Sequence, residues 1–402
     1  MITGLDEPSA LDPKRVGAKA AALARGLRDG LPVLPGIVVE TMVSLSHMEI
    51  GASVLSRRGS GGARQAVTTT PLPGAAQIEA AGRALSATLA VRSSSPLESD
   101  GVWAGAFASY TDVSPEELPH AVLGCWASVF TVDALDRQHR SGIEPGAVPL
   151  AVLIQPSIAP VVGGVAEITA EGTIRVQAVT GTPAPLLQGW VRGVAATRDP
   201  GGRWVGVDAI ALVGLETLDD IGTALATAWS RFGYNRCEWG VSEGLWILQL
   251  GTVPPEPTPV PVTTTSPDLI PVVQVAMTTQ GPHEIEPHLA AAVVLEHGVR
   301  FQGVPAAGGI GVGLRHVAGA VSPPSRAVVT APQALPYLSQ LIWDAVGLVT
   351  ELGGPAAHVF ETARSLGVPA VCGVDLGEVT GQIVAVDGYT GVVAVLPPGS
   401  IP

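Results

Sequence analysis

The chain has 402 residues, 47% hydrophobic and only 14% charged, which allows two or three domains with sizeable cores and excludes an intrinsically disordered polymer. A formal net charge of −13 argues against nucleic acid as a partner, because phosphate contacts need clustered Lys and Arg, so any polyphosphate ligand must be held by a few local cations and a metal. No apolar run reaches about 18 residues and residues 1–7 lack the basic and apolar regions of a signal peptide, so a soluble, cytoplasmic protein with no membrane partner is expected. Cys125, Cys237 and Cys372 lie far apart in apolar runs, which reads as buried reduced thiols without metal-ligand spacing.

In chain order, Pro13-Lys14-Arg15-Val16-Gly17-Ala18-Lys19 leads into a helical pattern over residues 20–28 and a proline-bounded strand over 32–39. Arg57-Arg58-Gly59-Ser60-Gly61-Gly62-Ala63-Arg64 reads as a flexible loop. Then come a strand over 89–92, a helix over 115–140, strands over 150–155, 164–169 and 174–179, a helix over 218–232, and a hairpin of strands 237–241 and 245–249 turning through Ser242-Glu243-Gly244. This mixed order predicts an α+β architecture, with α/β elements, rather than a regular parallel sheet. Prolines alternating with small residues over 254–262, followed by Thr263-Thr264-Thr265-Ser266-Pro267, form a semi-rigid, polyproline-like spacer. Beyond it, a strand is expected over 270–276 and a helix over 284–297. The expected division is residues 1–252, a Pro-rich linker and connecting segment over 253–300, and a last domain over 301–402.

Several positions have the chemistry to handle phosphate. His358 follows Gly353-Gly354-Pro355-Ala356-Ala357 where a helix would start; the glycine pair lets backbone approach a ligand, and helix-start N–H groups can hold phosphate oxygens beside an imidazole nitrogen. Lys14 and Lys19 are the only lysines beside twenty arginines, and Lys19, after a Gly-Ala turn, offers a compact point charge. Arg92, at a strand end with Ser93 and Ser94, offers paired N–H groups to phosphate oxygens, and the Ala104-Gly105-Ala106 turn can close over a polyphosphate. Glu238 and Gln249 lie on the two strands of the hairpin, flanked by apolar Trp239, Trp246 and Ile247.

The stretch over 348–374, with its glycine pair, His358, a helix ending in Ala363-Arg364 and then Leu366-Gly367-Val368-Pro369-Ala370-Val371, resembles the swivelling phosphohistidine domain of the phosphoenolpyruvate synthase, pyruvate phosphate dikinase and rifampin phosphotransferase family. Residues 16–36, Val91-Arg92-Ser93-Ser94, the small-residue loop through Gly105, and the Glu238-Trp239 and Leu248-Gln249 strands are similar to that family's nucleotide-binding domain, an ATP-grasp fold. The resemblance, over roughly residues 10–250 and 300–397, implies ATP binding by Lys19, Arg92, Ser93, Gly105, Glu238 and Gln249, a magnesium ion held by Glu238 and Gln249, and His358 as the catalytic phosphoryl carrier.

Three departures stand out. Arg236 occupies the position where the family usually has Asp; Leu250-Gly251-Thr252 replaces the usual x-Arg-Pro after Leu-Gln; and Ala356-Ala357 replaces the hydroxyl or thiol residue before the histidine, with Val359-Phe360-Glu361-Thr362 after it. No segment resembles the phosphoenolpyruvate/pyruvate barrel of long family members. The expected function is an ATP-dependent phosphotransferase passing the β-phosphate of ATP through His358 to a small-molecule acceptor, such as a specialised metabolite or antibiotic, with AMP and phosphate as co-products. The alternative is a phosphocarrier or regulatory nucleotide-binding subunit serving a separate acceptor protein.

Overall fold

The computed structural model describes residues 2–99, 101–254, 265–278, 285–319, 323, 325–377 and 383–396. The chain divides into two compact units, Met1–Pro183 with Val194–Thr252, and Ala184–Gly193 with Val253–Pro402. The spacer at 255–264 lies outside the described residues.

In the first unit, β1 (Ile2–Gly4), β2 (Ile37–Val39), β3 (Leu89–Ser94), β4 (Ser109–Val113) and β5 (Ala151–Pro156) form an antiparallel sheet in the order β1-β2-β5-β3-β4. It is accompanied by helices α1 (Pro13–Arg28), α2 (Thr41–Thr69), α3 (Ala75–Leu85), α4 (Leu118–Ala127) and α5 (Val132–Arg140). The start of α1 follows from its sequence: Asp12 accepts from the Lys14 backbone N–H at 2.9 Å and Pro13 takes the first helical position. The helix is broken at Gly17 (φ 77°, ψ 167°), so a second helical start, beginning at Ala18, carries Lys19 in its first turn.

A second antiparallel sheet contains β6 (Val162–Ile168), β7 (Ile174–Thr180), β8 (Val194–Arg198), β9 (Trp204–Val205), β10 (Arg236–Val241) and β11 (Leu245–Gly251), in the order β11-β10-β6-β7-β8-β9. Between β7 and β8 the short helix α6 (Ala184–Leu187) leaves this unit for the other. Helices α7 (Val207–Val213) and α8 (Leu215–Phe232) complete the unit. Leu218, Ile221, Leu225 and Ala228 fall on one face of α8, and they share a buried core with Ala20, Leu23, Trp239 and Ile247.

The second unit is built on one eight-stranded sheet: β12 (Val299–Gln302), β13 (Val304–Ala307), β14 (Ile310–Val317), β15 (Val328–Gln333), β16 (Gly347–Leu352), β17 (Ala370–Cys372), β18 (Ile383–Asp387) and β19 (Val392–Leu396). Their order is β12-β19-β18-β14-β15-β16-β17-β13, with β14, β15, β16 and β17 parallel. Helices α9 (Ile270–Thr278) and α10 (Pro287–His297) pack with β14, β18 and β19 in one cluster, and α11 (His358–Leu366), the crossover from β16 to β17, packs in another.

Three local expectations need correction. Residues 57–64 continue α2 as helix, broken only at Gly59 (φ 63°), because Ala63 and Val67 are buried on the helix and the glycine absorbs the kink. Residues 115–140 are not one helix but α4 and α5 separated by a 3₁₀ turn; Thr131 starts α5 by accepting from the Ala134 N–H at 3.2 Å. Residues 270–276 are helical: Ile270, Val273 and Met277 recur at helical spacing and join the α9/α10 core, which outweighs the strand preference of the β-branched residues. The segment between the spacer and residue 300 therefore contributes two core helices to the second unit. All three cysteines are free and buried, and burial pushes the thiols of Cys125 and Cys237 up to about 12 and that of Cys372 to about 11.

Candidate functional site

In the first unit, the start of α1 meets the end of β3. The Ala18 N–H donates to the Ser95 carbonyl at 3.0 Å and the Ala20 N–H to Ser94 Oγ at 3.1 Å. This seam places Lys19 beside β3, where its Nζ contacts the Ser93 carbonyl at 3.4 Å and forms an ion pair with Glu98. Glu98 in turn accepts from the Ser95 N–H at 2.8 Å. The Lys19 charge is thus directed at Glu98, and reaching a phosphate requires exchange of that partner. Ser93 Oγ is buried and has no hydrogen-bond partner among the described residues.

Gly105 lies exposed in the turn after Trp103, with φ 67°, a left-handed conformation that glycine takes without steric cost. The turn is held from behind by Arg137 of α5, a residue that no sequence motif marks. Its fully buried guanidinium donates to the carbonyls of Val102 and Ala104, and pairs with Asp133 at 3.1 Å. The available signal is an i, i+4 Asp133/Arg137 pair, but that spacing alone describes any solvated helix face. Replacing Arg137 with Met is expected to cost about 3 kcal/mol, because buried carbonyls lose their donor and Asp133 its partner. Denaturant unfolding would measure this, and an unchanged midpoint would show that the turn holds itself.

The hairpin brings Glu238 and Gln249 together as direct cross-strand partners, with the register shifting immediately after Glu238. Glu238 is only 6% exposed, and no hydrogen-bond or ion-pair partner for its carboxylate is present among the described residues. An unpaired carboxylate on a largely buried residue, with Gln249 as its cross-strand neighbour, suits a divalent cation carried on a polyphosphate, since Mg²⁺ binds through one or two protein oxygens together with phosphates and water. Arg92 reaches this hairpin, its Nη1 donating to the Leu248 carbonyl at 2.8 Å. Arg236 is balanced by Glu167 directly across the sheet at 2.5 Å, which explains structurally how an arginine is accommodated there.

In the second unit, His358 is the first residue of α11, and its N-cap, Ala357, offers no side-chain oxygen. Its Nδ1 lies 2.8 Å from Glu361 Oε2. The preceding loop is fixed by Gly353 (φ 114°), packed against Ala334, and by Arg364, whose Nη1 donates to the carbonyls of Ala306 at 2.8 Å and Pro355 at 3.3 Å. Phe360 and Val359, fully buried, anchor the helix beneath the histidine. The sequence places His358 at a helix start without marking Glu361 as its partner; the i, i+3 spacing is the available signal.

Residues 13–193 match the family described as pyruvate phosphate dikinase, AMP/ATP-binding domain, and residues 323–391 match the PEP-utilising enzyme, mobile domain. Lys19, Arg92, Ser93 and Gly105 fall in the first match and His358 in the second; Glu238 and Gln249 lie outside both. Among known proteins, the chain is 28% identical over 170 residues to the prodigiosin synthesizing transferase PigC of Serratia marcescens, covering 40% of this chain and 19% of that protein. It is 28% identical over 189 residues to a rifampicin phosphotransferase of a Streptomyces species, covering 41% of this chain and 22% of that protein. A shorter match, 52% identical over 54 residues, is to the phosphoenolpyruvate-protein phosphotransferase of Streptomyces coelicolor, covering 13% of this chain and 10% of that protein. Each of these matches therefore spans about a fifth or less of the relative's length. The chain thus combines a match to a pyruvate phosphate dikinase ATP-binding domain with a match to a PEP-utilising mobile domain, and it is distantly similar to the PigC transferase and to rifampicin phosphotransferase.

Proposed function

We propose that the protein is an ATP-dependent phosphotransferase that relays the β-phosphate of ATP through His358 to a small-molecule acceptor, with AMP and inorganic phosphate as co-products. The observation that carries this reading is His358 itself: it opens α11 within the mobile-domain match and makes one side-chain contact, through Nδ1, which leaves Nε2 without a protein partner among the described residues. In the proposed sequence Nε2 attacks the β-phosphorus, the bond to the α-phosphate oxygen breaks, and AMP leaves. Water takes the γ-phosphoryl group as inorganic phosphate, and the remaining phosphoryl group passes to the acceptor. A histidine relay divides one displacement into two easier ones. Arg92, Lys19 and the Ser93 hydroxyl would hold the phosphates, and Mg²⁺ bound with ATP at Glu238 and Gln249 would neutralise their charge. The likeness to rifampicin phosphotransferase supports a specialised metabolite or antibiotic as acceptor. Three buried free thiols and a need for ATP favour the cytoplasm as the compartment.

The Lys19–Glu98 ion pair favours a second reading, a phosphocarrier or regulatory nucleotide-binding subunit acting with a separate acceptor protein, because it withdraws a cation from the phosphates. Incubation with β-labelled ATP and Mg²⁺ separates the two: AMP release with acid-labile label on His358 supports the enzyme, and nucleotide binding without AMP supports the subunit.

The metal assignment has its own test. Glu238→Gln and Gln249→Ala are each expected to raise the Mg²⁺ concentration needed for half-maximal AMP formation by about tenfold, as each weakens or removes a hard oxygen ligand. If both variants keep the wild-type Mg²⁺ dependence, the hairpin is structural only.

A further inference from the structure

We infer that Glu361 is a positioning residue that holds His358 in the tautomer protonated on Nδ1, presenting Nε2 as the phosphoryl-accepting nitrogen; the inference rests on the phosphohistidine reading above. The two side chains sit one turn apart on α11, with Nδ1 2.8 Å from Oε2 and side-chain exposures of 21% and 14%. An ionised carboxylate only accepts hydrogen bonds, so the ring nitrogen facing it must carry the proton, and in a neutral imidazole the other nitrogen then keeps its lone pair. No other side-chain partner of His358 exists among the described residues, and the Ala357 side chain has no polar group that could take over this role.

The pair is set by its surroundings. Val359 and Phe360 are buried between the two residues, and Thr362 Oγ1 donates to the His358 carbonyl at 3.2 Å, so the first turn of α11 is tied at both ends. Arg364 holds the Pro355 carbonyl, which fixes the approach of the chain to His358. Ring and carboxylate therefore face each other across a helical turn whose backbone is already ordered, and little side-chain freedom is lost in forming the contact.

Proton bookkeeping explains the benefit. When the Nε2–phosphorus bond forms, the Nδ1 proton stays in place and the ring becomes cationic, with Glu361 as its counter-charge. When that bond breaks toward the acceptor, its electron pair returns to Nε2 and restores the starting tautomer without proton transfer to or from the ring. A carboxylate that orients an imidazole and compensates its charge performs the same service in hydrolytic triads.

The test uses the full chain labelled with ¹⁵N-histidine, with the His358 signals identified by their loss in His358→Asn. Wild type is expected to show protonated Nδ1 and unprotonated Nε2. Glu361→Leu should lose that preference and accept label from β-labelled ATP about 10–100-fold more slowly, the scale seen when a residue orienting a functional imidazole is removed. Glu361→Gln, whose amide oxygen still accepts, should keep the tautomer and label at an intermediate rate. An unchanged tautomer in a folded Glu361→Leu protein overturns the inference, as does a wild-type ring protonated on Nε2. Absence of label from wild type would remove the phosphohistidine reading alone, since the tautomer measurement decides the role of Glu361 in either case.

Discussion

His358→Ala is expected to take no covalent label from β-labelled ATP while binding nucleotide as tightly as wild type. The first effect is complete because an acid-labile nitrogen–phosphorus bond at this position needs the imidazole. The second follows because His358 lies in the mobile-domain match whereas Lys19, Arg92 and Ser93 lie in the ATP-binding match. Stability should change by less than about 1 kcal/mol: the ring is part exposed, the core contacts of α11 come from Val359 and Phe360, and alanine is the better helix former. Label that persists in the variant would place the carrier elsewhere, and thermal melting confirms that a negative result comes from chemistry rather than unfolding.

Gly17→Ala should have the largest effect in the first unit. Gly17 adopts φ 77° and ψ 167°, a region that is essentially glycine-only and costs other residues about 1–3 kcal/mol. A Cβ there would also overlap the Ser94 carbonyl, and the chain just after Gly17 is held to β3 and its end by the Ala18 N–H bond to the Ser95 carbonyl and the Ala20 N–H bond to Ser94 Oγ. Relief requires moving α1 away from β3, which separates Lys19 from Glu98 and the Ser93 carbonyl. The expected outcome is a loss of about 3 kcal/mol or more, together with at least tenfold weaker ATP binding. Gly30→Ala provides the comparison: its φ is 81°, yet nothing lies within 4 Å of the added Cβ, so it should cost only the backbone strain. Equal melting temperatures for the two variants would show that the close approach at Gly17 is unimportant.

Much of the candidate site in the first unit is legible in the sequence alone. Val91-Arg92-Ser93-Ser94 reads as a strand end, Ala104-Gly105-Ala106 as a turn, and Glu238 and Gln249 as lying on the two strands of one hairpin, because two-residue alternation and turn chemistry are local properties of the chain, whereas the register shift that makes them direct partners is seen only in the structure. His358 is legible for a similar reason: a glycine pair, a helix start and the Leu366-to-Val371 run lie within about twenty residues of one another, in the same stretch of sequence. Local pattern misleads at residues 57–64 and 270–276, where a glycine-rich composition and a β-branched run point away from helix. Buried packing of Ala63 and Val67 in one and Val273 in the other decides the outcome. Composition and local pattern by themselves determined a multidomain α+β protein with a histidine at a helix start after a glycine pair, since those traits depend on neighbours in sequence. Only the tertiary structure decided that Glu98 takes the Lys19 charge, that Arg137 supports the Gly105 turn from 33 residues beyond Ala104, that Arg92 reaches the Leu248 carbonyl 156 residues away, and that the carboxylate facing Nδ1 of His358 belongs to Glu361. Pairings between charges depend on where the folded backbone brings them, and a sequence records their identities without their distances.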